Sequence, residues 1–115
     1  MSRLLINGGN RLKGEVRVSG SKNAILPVLA ASLLTEKPVI IHDYPKITDV
    51  HNMLSILKHI GCMVTEEKER VIIDSSTANL WEMPDRLAKE IRSSIFMLGP
   101  VLGRFKQAKF SYPGG

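Results

Sequence analysis

In the stretch VSGSKNAILP, residues 18–27, an amine and an amide, Lys22 and Asn23, follow a Ser-Gly-Ser turn where a strand pattern gives way to a helix pattern. A helix start leaves N–H groups without partners inside the helix, and its dipole places about half a positive charge there. A cation at such a point costs about 0.3–1 kcal/mol unless an anion offsets it. Two readings stay open. In the first, Lys22, Asn23 and the free N–H groups together seat a phosphate or carboxylate. In the second, Lys22 points to solvent and Ser21 only caps the helix. The turn is not a Walker loop, which needs Gly-x-x-x-x-Gly-Lys followed by Ser or Thr.

Arg92 is the other candidate. It stands in KEIRSSIF, beside the apolar positions Ile91 and Ile95. An arginine at the edge of a buried face either pairs with a carboxylate or receives a planar anion such as phosphate. His42, His51 and His59 have no His-x-x-x-His spacing and no acid at ligand spacing, so they read as solvated or partly buried side chains. Asp43, Asp49, Asp74 and Asp85 fall at expected turn or cap positions, where carboxylates accept from backbone N–H groups. The single cysteine, Cys62, excludes an internal disulfide and a multi-cysteine zinc site, and reads as a small buried hydrophobe.

The elements that must position these residues can be sketched from periodicity. Residues 3–8 and 14–20 alternate and predict strands, the second carrying Val16 and Val18 against Glu15 and Arg17. Residues 22–34 predict a helix that is apolar on nearly every side, which implies burial on more than one face, with Pro27 delaying or bending its start. Residues 38–42 predict a strand. The next helix is expected to start at a Thr48 cap, to carry Val50, Met53, Leu54, Leu57 and Ile60 on one face, and to end at Gly61. Residues 62–74 predict a hairpin turning through Glu66–Glu69. Residues 84–105 predict one helix with Pro84 near its start and Leu87, Ile91, Ile95 and Leu98 inward, ended or kinked at Gly99-Pro100. AKFSYPGG opens a further strand, and the order of elements is an α/β pattern. The closing SYPGG looks like the start of a turn, so the chain is expected to be the front part of a longer protein.

Composition narrows the partners. The chain has 115 residues, 43% hydrophobic and 23% charged, which describes a globular domain or part of one. Its net charge of +5 suits an anionic partner, but the basic residues are scattered and aromatics are only 5%, too few for base-stacking platforms. Nucleic acid is therefore not expected, and a small anionic ligand is. No apolar run approaches the roughly 20 residues needed to cross a bilayer. The N-terminus has no signal-like apolar core, so neither a membrane nor export is expected and the default compartment is the cytoplasm.

The segments LKGEVRVSGSKNAILPVLAASLL, DVHNMLSILKHIGCMV, IRSSIFMLGPVLGRF and YPGG resemble the N-terminal part of the enolpyruvyl transferases, across about Leu4 to Gly115. Ser-Gly-Ser-Lys-Asn-Ala at a strand end and Arg-Ser-Ser-Ile-Phe-Met-Leu-Gly-Pro on a helix are the specific motifs. Relatives that act on shikimate 3-phosphate usually carry serine at the place of Asn23, so the resemblance is to the branch acting on UDP-N-acetylglucosamine. It implies a two-domain protein, each domain made of three βαβαββ repeats in an inside-out α/β barrel, the enolpyruvate transferase fold. Residues 1–115 would be the N-terminal portion, roughly the first repeat and a half.

The implied reaction moves the enolpyruvyl group of phosphoenolpyruvate to the 3-hydroxyl of UDP-N-acetylglucosamine and releases phosphate, the first committed step of peptidoglycan synthesis. It passes through a tetrahedral intermediate and needs no metal or organic cofactor. By the same resemblance Lys22 holds phosphoenolpyruvate, Asn23 contacts both substrates and Arg92 contacts the nucleotide sugar. The family's cysteine or aspartate that follows Pro-Gly-Gly has no counterpart before Gly115, the last residue, so no catalytic residue is assigned and the chain by itself is expected to be inactive. It is also expected to self-associate through uncovered apolar surface. Two rivals remain: a non-catalytic truncated binding module, and the sibling synthase acting on shikimate 3-phosphate.

Overall fold

The computed structural model describes residues 2–83, 85–90 and 92–110. Helix α1 spans Lys22–Ala31 and continues as a 3-10 turn through Ser32–Leu34. Pro27 sits inside it, in its second turn, where its ring removes one backbone donor. Ile25, Leu26, Leu29 and Ala30 are buried, while Ala24, Pro27, Val28 and Ala31 are exposed. The expectation of burial on more than one face is thus corrected. Among the described residues the helix packs chiefly on α2 and on a later 3-10 segment, and these cover one side only.

Strand β1 is Val39–His42. Helix α2, Thr48–Ile60, has the expected stripe: Val50, Met53, Leu54, Leu57 and Ile60 are buried, with Ile56 beside them. Its N-cap is Ile47, not Thr48, because the extended backbone of Ile47 already ends the preceding turn and Thr48 enters the helix. Gly61 terminates α2 at a φ of 113°, in the left-handed region that a side chain resists. A Cβ at Gly61 would lie 2.8 Å from both the Thr77 carbonyl and Asn79 Oδ1. The helix end is therefore stitched to the 77–79 loop, and the Thr77 hydroxyl donates to the Gly61 carbonyl at 2.6 Å.

The hairpin forms β2, Met63–Glu66, and β3, Arg70–Asp74, with the turn at Glu67–Glu69 rather than from Glu66. The sheet order is β1-β3-β2, all antiparallel, with Ile73 opposite both Val39 and Val64. The central β3 buries Val71 and Ile73 on the side facing the helices. The run α1, β1, α2, β2, β3 reproduces the last five elements of a βαβαββ unit. The missing first strand is the one expected at residues 14–20. Residues 2–20 carry neither strand nor helix, and Val16 and Val18 are almost fully exposed. Strand dihedrals are held by a neighbouring ladder, and this arm pairs with neither edge of the sheet.

The long helix expected at 84–105 is three pieces: α3, Asp85–Glu90; a 3-10 segment, Arg92–Met97; and α4, Leu98–Phe105. Gly99-Pro100 begins α4 instead of ending a helix. A proline in the first turn loses only an N–H that has no partner inside the helix. The tighter 3-10 winding also changes which residues face inward. Ser94, Met97 and Val101 are buried, whereas Ile95 and Leu98 are more than a third exposed. Pro84, Ile91, the side chain of Leu87 and the turn at 111–115 lie outside the described residues. Of the strand expected from residue 108 onward, the described residues 108–110 carry one parallel bridge, Lys109 with Glu82, the Lys109 carbonyl accepting from Met83 at 2.8 Å.

One polar knot closes the core. Arg104 of α4 donates to the Leu33 carbonyl at 3.0 Å and to the Ser75 hydroxyl at 2.9 Å, and Ser75, fully buried, donates in turn to the Ser32 carbonyl at 3.2 Å. These bonds satisfy carbonyls at the end of α1 and fasten α4 to the end of β3. Nearby Cys62 is buried, as expected, and its burial pushes the thiol up to about 11.

Two outcomes follow from these contacts. Gly61→Ala combines a left-handed alanine with a steric overlap, so the denaturation midpoint should report a loss of about 2–4 kcal/mol. For Cys62, the unfolded thiol ionises near 9.0 whereas the folded one keeps its proton until about 11. Between those values the unfolded state binds fewer protons, so stability falls as pH rises through that window, by on the order of 2 kcal/mol. Chemical denaturation at pH 8 to 11 should show this slope, and Cys62→Ala should remove the share that the thiol supplies.

Candidate functional site

Lys22 is the first residue of α1, and the turn before it is held by a close approach. A Cβ on Gly20 would meet the Asp43 carbonyl and Pro45 Cδ, both at 3.0 Å, so glycine lets the turn lie against the loop that leaves β1. Asp43 adopts a left-handed backbone, with φ of 54°, and accepts from Arg17 at 3.2 Å. That ion pair is highly exposed at both ends, which makes it a loose tether for the arm. Ser21 is the N-cap residue by backbone, extended at φ −89° and ψ 132°, but its side chain makes no capping hydrogen bond. The capping role expected of Ser21 is corrected: its carbonyl accepts the first helical bond, from Ile25 N at 3.0 Å, and its side chain leaves the N–H groups of the first turn uncapped.

The charge at Lys22 is offset from another element. No acid stands in the first turn of α1. Lys22 Nζ instead lies 3.1 Å from Asp49 Oδ2, in the first turn of α2. Lys22 is half exposed and the Asp49 side chain one-third exposed. A pair so placed contributes only about 0–1 kcal/mol to stability. The corner holds two helix N-termini, one ammonium and one carboxylate, so the balance remains positive and suits an anion. Asp49 uses one of the three N–H donors of the ammonium and leaves the others for a ligand.

Asn23 follows Lys22 and is exposed. Arg92 opens the 3-10 segment, and that segment packs directly on α1. The elements bearing Lys22, Asn23 and Arg92 are therefore in contact; the Arg92 side chain lies outside the described residues. Asp49 is the partner that sequence reasoning missed. The sequence marks Asp49 only as a cap position, and no spacing rule joins residues 22 and 49. The one available signal was an acid in the first turn of a strongly amphipathic helix.

Three cavities lie along the same end of the molecule. The largest, about 610 Å³, is bordered by Tyr44, Lys46, Thr48, His51 and Lys68 around the start of α2. A second, about 500 Å³, runs between Arg17–Gly20 and the hairpin turn. A third, about 200 Å³, passes beneath Gly20, Ser21 and Ala24. Lys22 and Asn23 border none of these three. Lys46 is already engaged, donating to the Lys68 carbonyl and lying over the Tyr44 ring. Among the described residues no group of three His, Cys, Asp or Glu side chains could hold a metal ion. No described helix is long and apolar enough to cross a membrane.

The arrangement of helices and strands is that of the enolpyruvyl transferase fold. The model of the family EPSP synthase (3-phosphoshikimate 1-carboxyvinyltransferase) matches residues 6–115, and the chain belongs to that family. It is 46% identical over its full length to UDP-N-acetylglucosamine 1-carboxyvinyltransferase 2 of Caldanaerobacter subterraneus subsp. tengcongensis, and 45% identical to UDP-N-acetylglucosamine 1-carboxyvinyltransferase of Buchnera aphidicola subsp. Baizongia pistaciae. The chain spans 28% of the length of each of these relatives. Among solved structures it is similar to the enolpyruvyl transferase NikO from Streptomyces tendae, with a TM-score of 0.73 and 30% identity over 84% of this chain and 23% of that one.

Gly20→Ala should move the turn by a few tenths of an ångström and cost about 1 kcal/mol. Thermal melts would read the cost, and amide chemical shifts at residues 20–25 and 43–46 would read the movement.

Proposed function

We propose that the protein containing this chain transfers the enolpyruvyl group of phosphoenolpyruvate to the 3-hydroxyl of UDP-N-acetylglucosamine, releasing phosphate, in the first committed step of peptidoglycan synthesis. The observation that carries this reading is the 45–46% identity, over the whole chain, to relatives named for that nucleotide sugar. Asn23, rather than serine, beside Lys22 supports the nucleotide-sugar branch over the shikimate one. Lys22 grips the acidic groups of phosphoenolpyruvate, and its ammonium follows the negative charge as the tetrahedral intermediate forms and collapses. Asn23 orients phosphoenolpyruvate against the sugar, and Arg92 receives the nucleotide sugar. No metal or organic cofactor takes part. The proposed compartment is the cytoplasm, where a lone thiol such as Cys62 stays reduced.

The 115-residue chain is the N-terminal portion of a two-domain protein in this proposal and carries part of the site only. It does not turn over alone. By itself it also leaves Val28 and Leu34 at the α1 end, together with Leu4, Leu5 and Ile6 of the arm, facing water. It therefore self-associates rather than acting as a stable binding module.

The test is phosphate release with both substrates, run on the 115-residue chain and on the protein expressed from the whole reading frame that encodes it. The longer protein should release phosphate with UDP-N-acetylglucosamine and not with shikimate 3-phosphate, and the chain should stay at the no-protein blank. Lys22→Met in the longer protein should lower turnover by about a hundredfold or more. Turnover with shikimate 3-phosphate alone would transfer the assignment to the sibling synthase. For self-association, the elution volume of the chain should fall as its concentration rises.

A further inference from the structure

Resting on the enolpyruvyl-transfer reading, we infer that Asp49 is a positioning residue of this site, holding the Lys22 ammonium in place for the anionic substrate. Three observations meet here. The carboxylate and the ammonium are 3.1 Å apart although they belong to different helices. No acid of its own first turn serves Lys22, so the partner comes from α2. The two helices are locked by a shared core in which Leu26, Leu29, Met53, Leu54 and Leu57 are at most 1% exposed, so the Asp49 backbone is a fixed point relative to the start of α1.

Lysine carries its charge on a flexible four-carbon stem, and a half-exposed one is free to sample many rotamers. A carboxylate at a fixed distance removes much of that freedom before the substrate arrives, which is preorganisation. The same carboxylate repels an incoming anion. Solvent screens that repulsion at a corner this exposed, and it opposes the gain from tethering. Substrate affinity is therefore nearly unchanged by Asp49. The rate is not, because turnover depends on where the ammonium stands as charge builds, and small displacements of a catalytic group are costly.

The experiment uses the protein expressed from the whole reading frame, with steady-state kinetics in phosphoenolpyruvate and thermal melts on D49N, D49E and K22M. The expected result for D49N is a kcat lowered about tenfold. Its KM for phosphoenolpyruvate should stay within about threefold, since tethering and repulsion offset each other. Its Tm should stay within about 4 °C of the parent, as suits a pair this exposed. D49E should recover most of the lost rate. A D49N protein with full kcat, alongside a K22M protein that has lost turnover, overturns the role of Asp49 and leaves the Lys22 seat standing. Full turnover in K22M brings down both. A D49N protein that melts much earlier and is not restored by glutamate makes Asp49 a structural residue only. A raised KM with kcat intact makes it a binding group instead, and overturns the inference equally.

Discussion

The packing of α1 on α2 is the contact from which the rest of this structure takes its geometry. Each helix brings one apolar stripe, and burying both joins Leu26, Leu29 and Leu33 with Met53, Leu54, Leu57 and Ile60 in a single core. Burying a leucine or isoleucine side chain stabilises by roughly 1.5–3 kcal/mol, far more than any ion pair on this surface. The Lys22–Asp49 contact is thus a consequence of apolar packing and not its cause. The core sets the distance between the two helix starts, and the charges occupy the gap that results.

Polar groups act where the core ends. Arg104 and Ser75 satisfy carbonyls at the far end of α1 and hold α4 over the same core. At the near end no side chain caps α1, and the N–H groups of its first turn stay available beside Lys22. One end of the helix is closed by hydrogen bonds made within the protein, and the other is open to a ligand. That asymmetry fits a site built for an anion brought from outside.

Backbone restrictions fix the connections. Gly61 permits the left-handed turn that stops α2 and brings Thr77 and Asn79 against it. Gly20 permits the loop after β1 to touch the turn before α1. Pro100 sits in a first turn, where its missing donor costs nothing, and so starts α4. The two glycines stand where two segments cross at van der Waals distance, and a side chain at either would force the touching segments to shift.

The local rules of the chain were legible without coordinates. The stripe of α2, its Gly61 stop, strand β1, the hairpin and the burial of Cys62 each follow from a few neighbouring residues, because helix and strand periods are set by the backbone itself. The same local reading singled out Lys22 and Asn23 as candidates, through the turn that precedes them and the family motif they belong to. What tertiary structure decided were relations between distant residues. Asp49 as the partner of Lys22 depends on two helices sharing a core, and no spacing encodes that. The 3-10 segment at Arg92–Met97 rotates the inward face from Ile95 to Ser94 and Met97, because winding tightens where packing demands it. Residues 3–8 and 14–20 of the arm read as strands but form none, since alternation gives a residue its preference while only a neighbouring strand supplies the hydrogen bonds.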